Sequence, residues 1–221
     1  MSSLIRFVNT IAGAKKVQFY IDNIPSETLS YGQTSCYIPI GAGQYQIAVQ
    51  VNPSKCSVFC PTNILVLCIQ RGAAYTVFAT GDINDLEEFP ITLVSTVDNL
   101  CRDSENRPTV QFLNLSSTAP NVNLQINGVI AFTDVAFFTG GPLPSPIPVS
   151  VGSTIFTLTT TTGTPIIPNV TTNLSSRKAY TVILVGTANS LTDPLRLLFV
   201  PSQTVKCCPQ IGNNCQLVRV H

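Results

Sequence analysis

Residues 5–23, IRFVNTIAGAKKVQFYIDN, recur without a gap as VQFLNLSSTAPNVNLQING at 110–128, 105 residues further on. Phe7 falls on Phe112, Asn9 on Asn114, Ala14 on Ala119, Val17 on Val122 and Ile21 on Ile126. The same spacing returns late in the unit. AAYTVFATG at 73–81 falls on KAYTVILVG at 178–186, which sets Tyr75 on Tyr180, Thr76 on Thr181 and Gly81 on Gly186. One spacing at both ends means one module used twice. The chain then divides into a first module over 1–100, a polar linker over 101–107, a second module over 108–200 and a tail over 201–221. Each module is long enough to bury its own core. The middles of the two copies are less alike, which leaves a register shift there open. Charge is densest at the join, in Asp98, Arg102, Asp103, Glu105 and Arg107, and reads as a solvated connection.

Within each unit the pattern is that of strands. Residues 3–9 form a short apolar run, and Val17, Phe19 and Ile21 alternate with Gln18, Tyr20 and Asp22. Tyr45, Ile47, Val49 and Val51 alternate again; the continuous run 64–69 reads as a strand buried on both sides, and 75–80 and 91–96 follow. Turn signals separate them: Asp22-Asn23, Tyr31-Gly32, Gly41-Ala42-Gly43, Asn52-Pro53, Arg71-Gly72 and Asn84-Asp85. Six or seven short strands per unit at this spacing predict a sandwich. The β-branched run 156–162 agrees, and no segment carries a helical stripe. Pro142, Pro144, Pro146 and Pro148 keep their stretch out of a central strand.

The order of these segments resembles the domain-of-unknown-function family numbered 4397, found mainly in bacterial surface and envelope proteins and often in tandem. Its pattern is carried here by IRFVN at 5–9, VQFYIDN at 17–23, Tyr31-Gly32, the Gly-x-Gly-x-Tyr start at 41–45, and the Ala-Tyr-Thr-Val strand ending in Gly at 74–81. The second copy keeps the first and last of these, and GGPLPSPIPVSVG stands in the middle. The resemblance implies an immunoglobulin-like β-sandwich, so with the repeat the expected fold is all-β, two tandem immunoglobulin-like β-sandwich modules, followed by the short cysteine-bearing tail. It implies no chemistry.

The composition narrows the function classes. Charged residues make up only 10% and the net charge is +1, far below the charge of an average soluble surface. Such a surface resists association poorly. Lysine and arginine total 12 against 11 acids, with no basic stripe, so nucleic acid is not an expected partner. No apolar run is long enough to span a membrane, and MSSLIRFVN lacks the features of a signal peptide.

Catalytic material is scarce. The only histidine is His221, the last residue. A serine- or cysteine-histidine site would have to draw its base from the terminus. The acidic stretch 82–88, with Asp82, Asp85, Glu87 and Glu88, reads as a solvated loop; a hard-cation site is the sharper alternative. No catalytic, cofactor or metal residues are expected. Sequons stand at Asn114, Asn169 and Asn173. Tyr20, Tyr31, Tyr37 and Tyr45 are candidate exposed aromatics for a glycan surface, although the chain has no tryptophan.

Eight cysteines remain: Cys36, Cys56, Cys60 and Cys68 in the first module, Cys101 in the linker, and Cys207, Cys208 and Cys215 in the tail. The second module has none, so the fold does not need them. Cys36 and Cys68 are expected as core or strand thiols. Cys56, Cys60, Cys101, Cys207, Cys208 and Cys215 are expected in disulfides, some between chains, with a thiolate zinc site the competing reading. The tail also carries QLVRV at 216–220, a strand able to join a neighbour's sheet edge. The expected function is a non-enzymatic subunit that self-assembles through sheet edges and disulfides into a surface layer, appendage or filament of a spore or cell envelope, or a virion surface. Other envelope or appendage subunits are further candidate partners. The alternative is a monomeric adhesin or glycan-binding module.

Overall fold

The computed structural model describes residues 2–51, 63–100, 103–140 and 143–203. The chain divides into two compact units between Asp98 and Asn99. The described residues form sixteen strands. In the first unit these are β1 (Ser3–Ala12), β2 (Lys16–Ile21), β3 (Ile24–Ser30), β4 (Ile38–Ile40), β5 (Gly43–Val51), β6 (Asn63–Ile69), β7 (Ala74–Asp82) and β8 (Thr92–Val97). In the second they are β9 (Thr109–Asn114), β10 (Val122–Ile126), β11 (Val129–Val135), β12 (Ile147–Pro148), β13 (Gly152–Thr160), β14 (Val170–Leu174), β15 (Lys178–Val185) and β16 (Arg196–Gln203).

Each unit holds two four-stranded sheets. The first unit orders them β4-β1-β7-β8 and β3-β2-β5-β6; the second orders them β12-β9-β15-β16 and β11-β10-β13-β14. Every neighbouring pair is antiparallel except β1 with β7 and β9 with β15, which run parallel. The inward faces supply the core. Ile5, Phe7, Val17, Phe19, Ile47, Val49 and Val77 are fully buried in the first unit, with Phe7 stacked on Phe19 at 4.7 Å between ring centroids. Phe112, Val122, Leu124, Phe156, Leu158, Val182 and Leu184 do the same work in the second.

The recurring residues turn out to be recurring devices. Asn9 lies on the inward face of β1, between Phe7 and Ile11, with no exposed surface. Its side-chain amide donates to the Leu29 carbonyl on β3, in the opposite sheet, and its Oδ1 accepts from the Ile11 amide. Asn114 does likewise, donating to the Val135 carbonyl on β11 and accepting from the Ser116 amide. One asparagine in each module therefore ties the two sheets together. Tyr75 accepts a hydrogen bond from the Gln70 amide, five residues upstream, and Tyr180 accepts from the Ser175 amide at the same separation. Both are the corner in which a tyrosine hydroxyl pins the chain entering its strand.

Gly81 and Gly186 have φ of +126° and +96°. A Cβ on Gly186 would lie 2.3 Å from the Pro194 carbonyl oxygen, so only glycine fits. At the hairpin tips, Asp22-Asn23 and Asn127-Gly128 both take positive φ throughout, as two-residue turns between twisted strands require. Asp22 and Asn127 then use Oδ1 to cap the amides of Gln46 and Ile155 on the neighbouring strand.

The dissimilar middle is a register shift. Ile21 pairs with Ile47, and its counterpart Ile126 pairs with Phe156, so the spacing there is 109 residues instead of 105. On that register Gly43 answers to Gly152, and their strand partners are Ile69 and Leu174, which are again 105 residues apart. The first glycine of the GGPLPSPIPVSVG stretch therefore does not replace Gly43; its last glycine does. Three further differences concern the strands. The run 64–69 is not buried on both sides: β6 is an edge strand that buries Leu65, Leu67 and Ile69 and turns Val66 and Cys68 outward. β3 and β4 are strands that hydrophobic alternation did not show, because Pro25 and Pro39 and the polar Ser26, Glu27 and Thr28 conceal them. Asp98 belongs to no solvated join; it is buried in the first unit.

Asn9→Ala and Asn114→Ala should each destabilise by ~1–3 kcal/mol, the cost of leaving buried carbonyl and amide groups unmatched. Gly186→Ala should lose more than Gly128→Ala, whose Cβ meets nothing within 4 Å. Denaturant melts of the four variants check this, and equal losses at Gly186 and Gly128 would contradict it.

Candidate functional site

The densest cluster of polar chemistry lies on β1, β7 and the end of β8. Arg6 and Asp98 are 3% and 8% exposed. Arg6 Nη2 stands 3.6 Å from Asp98 Oδ2. Arg6 Nε donates to Thr76 Oγ1 at 2.8 Å, and Thr76 donates onward to the Asp98 carboxylate. The Tyr37 hydroxyl donates to Asp98 Oδ2, while the Arg6 guanidinium lies 4.5 Å from the centre of the Tyr37 ring. Burial pushes the Asp98 carboxyl above its ordinary range, against the pull of Arg6 and of the Thr76 and Tyr37 hydroxyls. A perturbed, buried carboxyl is a common mark of catalysis. Here the hydroxyls of Thr76 and Tyr37 and the countercharge of Arg6 are all turned onto it from within the protein. The second module rebuilds the same place without charge: Gln111 stands for Arg6, Thr181 for Thr76 and, by strand pairing, Ser202 for Asp98. The cluster is a buried ion pair that one copy has and the other does without.

That comparison sets its expected energetics. Arg6→Met leaves Asp98 buried without its countercharge and should cost ~3–5 kcal/mol. Arg6→Gln with Asp98→Ser, the pattern of the second module, should recover most of that loss. The raised carboxyl also fixes a sign. Because the folded protein binds this proton more readily than the unfolded chain does, Asp98's contribution to stability is present in acid and lost as pH rises through its folded pKa. The double variant should lack that acid gain. Melts across pH check both statements, and a double variant as unstable as Arg6→Met would contradict them.

The acidic stretch 82–88 is a self-capped turn. Asp82 Oδ1 accepts from the Asn84 amide and Asp85 Oδ1 from the Glu88 amide. Among the described residues no group of three or more metal-ligating side chains is gathered. The tyrosines do not form a platform. Tyr20 is buried and donates to Gln50 Oε1, Tyr37 is held in the ion-pair cluster, and Tyr31 and Tyr45 are half-buried, Tyr45 against the core.

Cys36 is an exposed free cysteine on the segment before β4, outside any strand, and not a core thiol. Cys68 is disulfide-bonded, and not a free strand thiol. Its outward direction on β6 follows from strand alternation. Cys56, Cys60, Cys101, Cys207, Cys208 and Cys215, and the QLVRV segment, lie outside the described residues. Of the three sequons, Asn114 is fully buried and committed to its sheet tie, while Asn169 and Asn173 are exposed.

Both modules expose aliphatic side chains at two matching places. Ile24 and Val129, each first after its hairpin turn, are both 69% exposed. Leu86 and Leu191, at matching places in the β7–β8 and β15–β16 connections, are 51% and 100% exposed. β1 and β7 end together and β2 runs back from them, so the two positions mark opposite ends of each module. The residues around Leu86 and Leu191 differ, DINDLEEFP against TANSLTDPL, yet the exposed leucine stands in both. Ile130, Val151 and Ile155 add to the hairpin end of the second module. An apolar residue just after an Asp-Asn or Asn-Gly turn was the sequence signal for this surface.

The sequence profile of a domain of unknown function, DUF4397, matches residues 3–125 and 108–206. The chain belongs to the DUF4397 family. No curated protein matches it. Among solved structures, a family 41 carbohydrate-binding module that recognises alpha-glucan, from streptococcal virulence factors, is 10% identical over 87% of this chain and 95% of its own, with a TM-score of 0.26. A putative cell adhesion protein from Bacteroides eggerthii is 9% identical over 92% and 96%, with a TM-score of 0.22. At these TM-scores neither likeness bears on the function of the DUF4397 modules here. The family motif itself now has a physical reading: its asparagine ties the sheets, its tyrosine makes the corner, and its glycine admits the proline-bearing turn.

Proposed function

We propose that this protein is a non-enzymatic, adhesion-type contact module, binding another macromolecule through the aliphatic tips of its two sandwiches. One observation carries the reading: the same two tip positions are exposed and aliphatic in both modules, as Ile24 and Val129 and as Leu86 and Leu191. Single exposed aliphatics are ordinary, but the same pair in two divergent copies is a repeated surface. Among the described residues, the Arg6–Asp98 cluster is spent on structure. Protein contact fits this surface better than sugar stacking, since none of the strongly exposed large hydrophobics among the described residues is aromatic. An outer surface, of a cell, a spore or a virion, is the setting that fits a low-charge contact module.

A second reading, a self-assembling subunit locked by disulfides, is favoured by the exposed free thiol of Cys36 beside the edge strand β4.

The test is a panel of immobilised matrix-type proteins, polysaccharides and the protein itself, read by interferometry. The wild type should bind a protein surface saturably. A variant carrying Ile24→Ser, Leu86→Ser, Val129→Ser and Leu191→Ser should melt as the wild type does and bind at least about tenfold more weakly, a loss of ~1.4 kcal/mol. Binding confined to polysaccharides, or unchanged in the variant, would contradict the reading.

A further inference from the structure

Among the described residues, eight strands lie at sheet edges in the two modules, and seven of them are guarded. An unguarded edge offers a row of free amides and carbonyls to any extended chain, and natural sheets blunt it with proline, charge, bulges, brevity or cover. β4 and β12 are three and two residues long and contain Pro39 and Pro148. β3 carries Pro25 and Glu27 and a register irregularity against β2. β11 carries Asp134 and two irregularities against β10. β16 carries Arg196 and Pro201. β8 has Leu93, Val94, Ser95 and Thr96 buried, and β6 packs beside it and bears the Cys68 disulfide.

Among the described residues, β14 shows none of these. Its five residues, VTTNL, hold no proline, no glycine and no charge, and its pairing with β13 runs from Gly152↔Leu174 to Phe156↔Val170 without a bulge. Thr171 and Asn173 point outward and are exposed, beside the uncharged Ser153, Ile155 and Thr157 of β13.

We infer that β14 is the docking edge for a second copy of this chain, which adds its own β14 antiparallel about a two-fold axis. The edge dictates an extended strand as occupant, and the sequence suits its own copy. A two-fold axis through Thr172 sets Thr171 opposite Asn173 and Val170 opposite Leu174. Hydroxyl meets amide on the outer face and aliphatic meets aliphatic on the inner one, with no like charges opposed. Two four-stranded sheets become one of eight. The inference stands on β14 alone and survives if the aliphatic tips prove inert, just as tip binding survives if this dimer does not form.

The experiment is sedimentation of the full chain, made in a non-glycosylating host with free thiols capped by iodoacetamide, from ~1 µM to ~1 mM, the span of weak association. The wild type should pass from monomer to dimer. Thr171→Lys with Asn173→Lys, and Thr171→Glu with Asn173→Glu, should each melt as the wild type does and stay monomeric, because like charges then meet across the axis. Mixed, the two should form a heterodimer. The peptide NVTTNLS should dissociate the wild-type dimer, which tests the edge without any substitution. A wild type that stays monomeric, a lysine variant that still dimerises, folded monomers that fail to pair when mixed, or a dimer indifferent to the peptide would overturn the inference.

Discussion

The parallel pairing of the first strand with the seventh holds each module together. β1 meets β7 from Leu4↔Ala74 to Ala12↔Asp82, and β9 meets β15 in the same way. Antiparallel neighbours can be joined by a tight turn, but a parallel pair needs the chain to travel away and return. Everything between β1 and β7, including the whole opposite sheet, is that journey. The residues that repeat most faithfully are the ones that secure the pair. Tyr75 pins the chain as it enters β7, Asn9 ties the end of β1 to the opposite sheet, and Gly81 lets the chain leave β7 against the turn at Pro90. Such distant contacts cost loop entropy before they are made. Dense packing and the hydrogen bonds of this seam are what offset it.

Much of this was legible in the sequence because the seam is what the repeat preserves. The 105-residue spacing picked out β1, β2, β7 and their copies, and alternation picked out β5. The edges escaped because edges are disguised. Pro25, Pro39, Pro148 and Pro201 make β3, β4, β12 and β16 look like loops, and those same prolines keep the edges from pairing. The run 64–69 misled in the opposite direction, since Val66 and Cys68 are apolar but face outward. Asp98 looked like linker because charge there resembles charge anywhere. Only the three-dimensional proximity of Arg6, 92 residues away in the sequence, shows it to be internal.

Comparing the copies also separates what the fold requires from what one module has added. The asparagine tie, the tyrosine corner and the exit glycine occur in both and belong to the sandwich. The Arg6–Asp98 pair occurs only in the first, as do Cys36 and Cys68, and β6 bears a disulfide cysteine where its counterpart β14 has no cysteine. The fold therefore leaves room for individual surfaces on a common core, which is how one architecture serves several partners. The exposed aliphatic tips are the exception, a surface feature kept in both copies.

In the proposed dimer, the uncharged and unbulged edge of β14 is where the two copies engage. Amide hydrogen exchange of the unmodified chain, compared at low and high protein concentration, tests it most directly. Peptides covering β14 should gain protection as concentration rises, while those covering β16, guarded by Arg196 and Pro201, should not change. Equal exchange in β14 at every concentration would contradict it.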